Sequence, residues 1–514
     1  MTLALVNGRI LTLDPARPHA TSVLVTEGTI AALDTPPPRG AEVVDLRGRL
    51  VLPGVNDSHL HACAYGLSRP PYCLDVARDS IAAITAQVGQ AVRRAAPGAW
   101  IRGIGWNPGS LAEARMPAKE DLDAVAPDNP VLLQDFSGHA TWVNTRVMEA
   151  AGAQGDGVFH HGDQDLVQRL VPPPEGGLRA VLREVVTGLN RLGITSFTEP
   201  GLGPGGAASF GGGMGPDVLA AYADLAGDGT LTARVSVLGL PSPMSGASVA
   251  DTLAWLAAPP GLGDVDPRVL RLTGVKVFAD GIPPSETAWM REPYPGGGHG
   301  ALCVRGGSDG ERVAELAEIL RLVHVAGWQA GVHVVGSRGV DAVAEALAAI
   351  ARDHPRPDAR HYVIHGQYAS EQALATLGGL GYGINLQPVL QRLESGTTRA
   401  LFGDEAAERE WPARSALAAG VHTACSSDAP VTSPDWRPGV AALLARTGEG
   451  VTLEEALRAY TTAGAWQDFA ETWKGTIAPG KAADLFVSAA TAPEELTDAP
   501  VELTVFAGRM VHVS

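Results

Sequence analysis

The first fifty positions are built from short apolar runs broken by turn residues: LALVNGRILTL, SVLVTEGTIAAL and EVVDLRGRLVLPG. Val, Ile, Leu and Thr dominate each run, and Gly or Asn-Gly closes it, the pattern of short strands joined by tight turns. The last residues return to the same pattern. TVFAGRMVHV (504–513) aligns with LVNGRILTL (5–13): apolar residues, a small or turn residue, Gly-Arg, then apolar residues again. Both ends of the chain are therefore expected to build one small β-unit, from residues 1–54 and 478–514.

Between them, residues 55–477 change period. Candidate strands are GVNDSHLHA, PVLLQDF, GITSFTEP, ARVSVLG, LTGVKVFADG, GWQAGVHVVG, RHYVIHG, GYGINLQP and GVHTACSSD. Between several of them lie amphipathic helices such as DGERVAELAEILRLVHVAG, with apolar residues at helical spacing. Strand-then-helix repeated this often predicts an α/β fold, a closed parallel (β/α)8 barrel of the TIM type, flanked by a composite β-sandwich from the chain ends. Residues at about 65–185 are too long for one βα loop and read as an insertion. The Gly-rich GLGPGGAASFGGGMGP (201–216) lacks the spacing and the lysine of a phosphate-binding loop and is expected to be a mobile loop.

Composition narrows the partners. With 45% hydrophobic and 18% charged residues the chain is globular, and its formal net charge of −17 argues against nucleic acid or an anionic membrane. Cys63, Cys73, Cys303 and Cys425 are scattered without a CxxC pair, which fits a reduced compartment. The opening MTLALVNGRILTLDP has no basic region and no long apolar core. The expectation is a cytoplasmic protein acting on a small molecule, with a homodimer possible.

The polar residues at strand ends carry the chemistry. His59 and His61 stand two apart in VNDSHLHA, a spacing that on a strand aims both imidazoles at one face, where they can share a metal. His333 ends WQAGVHVV, His365 ends RHYVIHG, and Asp428 closes VHTACSSD. A buried Asp needs a cation or a donor beside it, unless Asp428 merely caps the next helix. Lys276 interrupts the apolar GVKVF in a chain with only four lysines. Burial lowers an ammonium's pKa, so Lys276 either pairs with Asp280 or is neutral enough to take up carbon dioxide as a carbamate, an oxygen ligand able to bridge two metals. Glu199 is an extra acid at the end of TSFTE, and Trp106, Trp142 and Trp289 are aromatic candidates for a pocket wall.

This order of residues resembles the amidohydrolase superfamily, in its YtcJ-like branch that includes N-substituted formamide deformylases. The likeness covers nearly the whole chain. LPGVNDSHLHA is similar to the branch's Pro-Gly-Phe-x-Asp-x-His-x-His motif, and QDFSGHATWVNT to its Gly-His-x-x-Trp-x-Asn segment. KVFADG with TAWMREPY, HVVGSRGVDAV, RHYVIHGQ and SSDAPV resemble its lysine, histidine and aspartate motifs, and GTIAPGKAADLFV its return to the β-unit. The resemblance implies a metal-dependent hydrolase with the family's metal ligands at six positions. His59, His61 and Asp428 would hold one zinc, His333 and His365 another, and carbamylated Lys276 would bridge the two Zn2+.

By the same resemblance a bridging hydroxide would attack a carbonyl carbon, Asp428 would carry the proton to the leaving nitrogen, and His139 would donate a hydrogen bond to substrate. Three departures stand out. Ile364 replaces the Glu usual before the histidine at 365, Ser337 replaces a common Asp, and FADGIPPSE replaces the frequent Asp-Gly-Ser pattern. The leading expectation is hydrolysis of an amide, formamide, carbamate or cyclic amide. The alternatives are a one-metal deaminase of an aminated heterocycle and a non-catalytic barrel with a binding role.

Overall fold

A computed structural model of the chain describes residues 2–136, 140–174, 176–206 and 213–514. Eight parallel strands in one sheet form the barrel: β1 (Val55–Asp57), β2 (Ile194–Leu202), β3 (Arg234–Gly239), β4 (Leu270–Phe278), β5 (Gln329–Val334), β6 (Tyr362–His365), β7 (Gly383–Leu386) and β8 (His422–Cys425). Their order in the sheet follows their order in the chain. Most residues of these strands are buried, β3 from end to end, because side chains fill the barrel on one face and helices cover the other.

The helices between strands start where the sequence supplies caps. Asp309–Val325 follows β4 and opens on a reciprocal cap: Ser308 accepts from the Glu311 amide while Glu311 accepts from the Ser308 amide. Leu316, Ile319, Leu320 and Val323 form its buried stripe. The expected strand PVLLQDF does form, as Val131–Asp135, but in a different sheet. It pairs in parallel with Ile101–Trp106 and antiparallel with Ala140–Val143. Its apolar run carries no mark of which sheet it joins.

That second sheet belongs to a compact unit of residues 62–185 and 207–214; the barrel and both chain ends form the other unit, residues 1–61, 186–206 and 215–514. Part of the Gly-rich loop, 207–212, lies outside the described residues. The core of the 62–185 unit gathers Trp106, Trp142, Leu122, Val131 and Leu133 beside the buried face of the helix Ile81–Val92.

The chain ends meet as the repeated end patterns predict. Leu485–Ser488 runs antiparallel to Leu50–Pro53, with Phe486 opposite Leu52, inside a six-stranded sheet that also holds Arg9–Leu11 and Arg509–Val513. A four-stranded sheet contains Thr2–Val6, and Leu3, Leu5 and Val25 from it share one core with Val51, Leu485 and Val505. Only glycine fits at position 508, where φ is +74° and a Cβ would stand 2.8 Å from the Cα of Gly28.

A buried ion pair ties the barrel to this sandwich. The Arg234 guanidinium of β3 donates to Asp484 (Nη2 to Oδ1, 3.1 Å), and both side chains are under 10% exposed. The same carboxylate accepts the Ala507 amide at 2.8 Å. Removing one partner strands the other charge, so Arg234→Ala is expected to cost about 3–5 kcal/mol. The measurement is the urea midpoint, and the double variant Arg234→Ala/Asp484→Ala is expected to recover part of that loss.

Candidate metal centre

The candidate residues come together at the carboxyl ends of the barrel strands. His59 and His61 lie just past the end of β1 rather than on it, since β1 stops at Asp57. Their rings still converge, 5.2 Å apart between centroids and nearly perpendicular. Lys276 lies in β4, His333 in β5, and His365 is the last residue of β6. Asp428 follows β8 by three residues. The His365 ring stands 4.5 Å from that of His333 and 5.6 Å from that of His59.

Both N-terminal histidines aim at one oxygen. The Nε2 atoms of His59 and His61 lie 3.2 and 3.5 Å from Oδ1 of Asp428. Ligand atoms of His59, His365 and Asp428 fall within 4.8 Å of one another. Burial holds the His59 and His333 imidazoles well below the usual histidine range, and nearby Lys276 pushes the same way. For His61 burial, and then His59, bring the value to about 3. Neutral imidazole is the form that binds metal. Burial likewise brings Lys276 down to about 7, against the opposing pull of Asp428.

The donor set fits a divalent cation. Among the described residues, Nδ1 of His59 and of His61 are buried without hydrogen-bond partners, so nothing in the protein satisfies these rings fully. His365 is different: its Nδ1 lies 2.7 Å from Oε1 of Gln387, an oxygen that can only accept. The proton therefore sits on Nδ1 and the Nε2 lone pair is free for a metal. His365 and Asp428 both adopt left-handed backbone, at φ +70° and +55°, a strain of order 1–3 kcal/mol each that surrounding bonds must hold.

Residues 42–512 match the profile of the amidohydrolase family. The chain belongs to the amidohydrolase family. It is accordingly a metal-dependent hydrolase of C–N bonds other than peptide bonds. Similar proteins include YtcJ of Bacillus subtilis (strain 168), 25% identical over 517 residues, 92% of this chain and 90% of that protein. The N-substituted formamide deformylase of Arthrobacter pascens is 26% identical over 527 residues, 94% of this chain and 93% of that protein. Among solved structures, a metal-dependent hydrolase from Pyrococcus furiosus shares the fold at TM-score 0.75 and 22% identity, covering 95% of this chain and 98% of that one.

Within this amidohydrolase the two alternatives raised for single residues are not realised. Asp280 accepts the amides of Trp289, Val335 and Gly336 at 2.8–2.9 Å, and among the described residues no ion pair joins it to Lys276. Asp428 caps no helix; the next one, Arg437–Ala445, begins nine positions later with Trp436 at its cap. Glu199 is buried and accepts from the Tyr222 hydroxyl at 2.7 Å. Trp106 lies in the core of the 62–185 unit, its ring against Trp142 and its indole N–H donating to the Leu133 carbonyl. Trp289 is buried under the Arg338 guanidinium, 4.3 Å from its ring. His139 lies outside the described residues. Of the two departing positions, Ile364 packs on Leu238 and Tyr362, and the Ser337 hydroxyl accepts the Arg291 amide.

Two positioning residues escaped the sequence reading. Gln387, one residue past β7, orients His365. Asp57 accepts the Ser427 amide (3.1 Å), the Ser427 hydroxyl (2.6 Å) and the His59 amide (3.3 Å). Its only signal was a carboxylate at the end of a buried strand, the criterion that did select Asp428. Asp57→Ala removes three hydrogen bonds and is expected to destabilise the fold by about 3 kcal/mol, Ser427→Ala by about 1 kcal/mol, both read from the urea midpoint.

Proposed function

We propose that the protein hydrolyses an amide, formamide, carbamate or cyclic amide at a centre of two zinc ions. His59, His61 and Asp428 would hold one ion, His333 and His365 the other, with Lys276 bridging them as its carbamate. The observation that carries this reading is the convergence of two neutral imidazoles on one oxygen of Asp428, with a buried lysine amine beside it. Bound zinc supplies a water acidic enough to be ionised near neutral pH and a Lewis acid for the carbonyl oxygen.

The chain's own residues do the rest. Asp428, on which the two imidazoles converge, accepts the proton of the attacking water and returns it to the leaving nitrogen. Lys276, held near neutrality by burial, is free to add carbon dioxide: its nitrogen forms the N–C bond and its proton leaves to solvent. An arginine there would stay protonated and could not. Gln387 keeps His365 in one tautomer, and Asp57 holds the two turns that carry His59 and Asp428. The deformylase from Arthrobacter pascens supports including formamides among the substrates. His139 remains a substrate hydrogen-bond donor by its motif.

A one-metal deaminase is the second reading. It is favoured by the close grouping of His59, His365 and Asp428, which alone suffices for a single ion. Metal analysis separates the two: about two zinc per chain is expected for the bridged centre, and one for the deaminase. Lys276→Ala is expected to lose most hydrolysis of formamides, acyl amides or carbamates and at least one metal equivalent. A fully loaded, fully active variant contradicts the bridge. Gln387→Ala is expected to weaken metal affinity by about 10–100-fold, measured by competition with a chelating dye.

A further inference from the structure

On the segments that follow β7 the protein holds two carboxyl groups that the proposed reaction does not use. The helix Pro388–Phe402 follows β7 and carries Glu394, which is half-buried. Glu410 follows the helix Asp404–Arg409 and is 1% exposed. Its Oε2 is fixed by two donors, the Gln367 amide nitrogen at 2.8 Å and the Thr398 hydroxyl at 2.7 Å. Thr398 is itself braced by the Tyr368 hydroxyl at 2.8 Å. Burial raises Glu410 above the usual carboxylate range. It raises Glu394 to about 7, with the charges of Glu410 and then Asp428 adding to the effect.

What remains unsatisfied points to a ligand. Glu410 Oε1 is buried with no hydrogen-bond partner among the described residues, and so is the indole nitrogen of Trp411. Trp411 is 3% exposed, and its ring stands edge-on to His365 at 6.3 Å between centroids. Its backbone lies at φ +53°, where a bulky residue is rare, and is held there by its amide on the Gln367 carbonyl and its carbonyl on Arg446. An orphaned acceptor and an orphaned donor on consecutive residues each carry a desolvation cost unless something pairs with them. The nearest arginines are engaged elsewhere: Arg399 with Asp404, and Arg446 with the carbonyls of Trp411 and Glu408.

We propose that Glu394, Glu410 and Trp411 form a subsite for a cationic group on the substrate, so that the preferred substrates are amides carrying a second, protonated amine. The ammonium donates to Glu410 Oε1 and neutralises both carboxylates, while the Trp411 indole N–H meets an acceptor on the same ligand. The proposal rests on the reading of the protein as an amide hydrolase, and its test separates the two.

The probes are N-acetyl-1,4-diaminobutane and its uncharged counterpart N-pentylacetamide, each titrated calorimetrically into the metal-loaded protein and each assayed for hydrolysis. The cationic probe is expected to bind at least about tenfold more tightly, the worth of one desolvated charge contact. Glu410→Gln and Glu394→Gln should each erase most of that preference while changing affinity for N-pentylacetamide less than about threefold. Glu394, on a partly exposed helix face, keeps the test open should Glu410→Gln fail to fold. Equal binding of the two probes, binding of neither, or a preference unchanged in Glu394→Gln overturns the subsite. Cation-selective binding with no hydrolysis of either probe supports the subsite and counts against the amide-hydrolase reading.

Discussion

Everything at the centre depends on one seam, where the first and last strands of the barrel meet without a regular ladder between them. Strand β1 ends at Asp57 and β8 at Cys425, and the closure is made by residues just beyond. Asp57 takes both the amide and the hydroxyl of Ser427, the Asp428 amide donates to the His59 carbonyl at 2.9 Å, and the His61 amide donates to the Ala429 carbonyl at 3.0 Å. Each of these bonds spans more than 360 residues of chain. The geometry that sets two imidazoles against Asp428 is thus the geometry that closes the barrel. A carboxyl group is suited to this task because its oxygens accept several donors at once, and here those donors offset part of the burial that raises Asp57 to about 7.

Burial then dictates the charge state of what the seam assembles. Four histidines and a lysine crowd around one carboxylate in a space that disfavours every cation. The protein resolves this by neutrality, leaving lone pairs on nitrogen where protons would otherwise be. Those lone pairs are the currency of metal binding, and the same desolvation that makes Lys276 a poor ammonium makes it a nucleophilic amine. The same low-dielectric surroundings shift all four histidines and Lys276 in the useful direction.

The barrel and the paired chain ends were legible because their signals are local and repeated: strand-then-helix alternation, and the same Gly-Arg turn pattern at residues 8–9 and 508–509. Lys276, His365 and Asp428 were legible for a related reason, as polar residues that interrupt apolar strands. What sequence could not supply was partnership at long range. Val131–Asp135 reads like a barrel strand, yet neighbours place it in another sheet. Asp57 and Gln387 look like ordinary polar residues until the fold sets them against Ser427 and His365. Trp106 was equally opaque, since an indole packs in a core with the same residue type that lines a pocket.

The departures from the family motif acquire a physical meaning in this setting. With Ile364 in place of the usual Glu, the position before His365 contributes apolar packing on Leu238 and Tyr362. With Ser337 in place of Asp, the start of the following helix contributes a neutral acceptor for the Arg291 amide. Both changes withdraw negative charge from the β5 and β6 side of the centre. The carboxyl groups of Glu394 and Glu410 lie instead beyond β7, and the charge of Asp428 adds to the rise of Glu394. Carboxyl groups thus stand on the segments that follow β7, Glu394 on a helix and Glu410 just past one. Groups on strands are fixed by the sheet, whereas groups on βα segments can change with little cost to the barrel. A carboxyl group on such a segment can change without disturbing the backbone bonds that hold His59 and Asp428 at the seam.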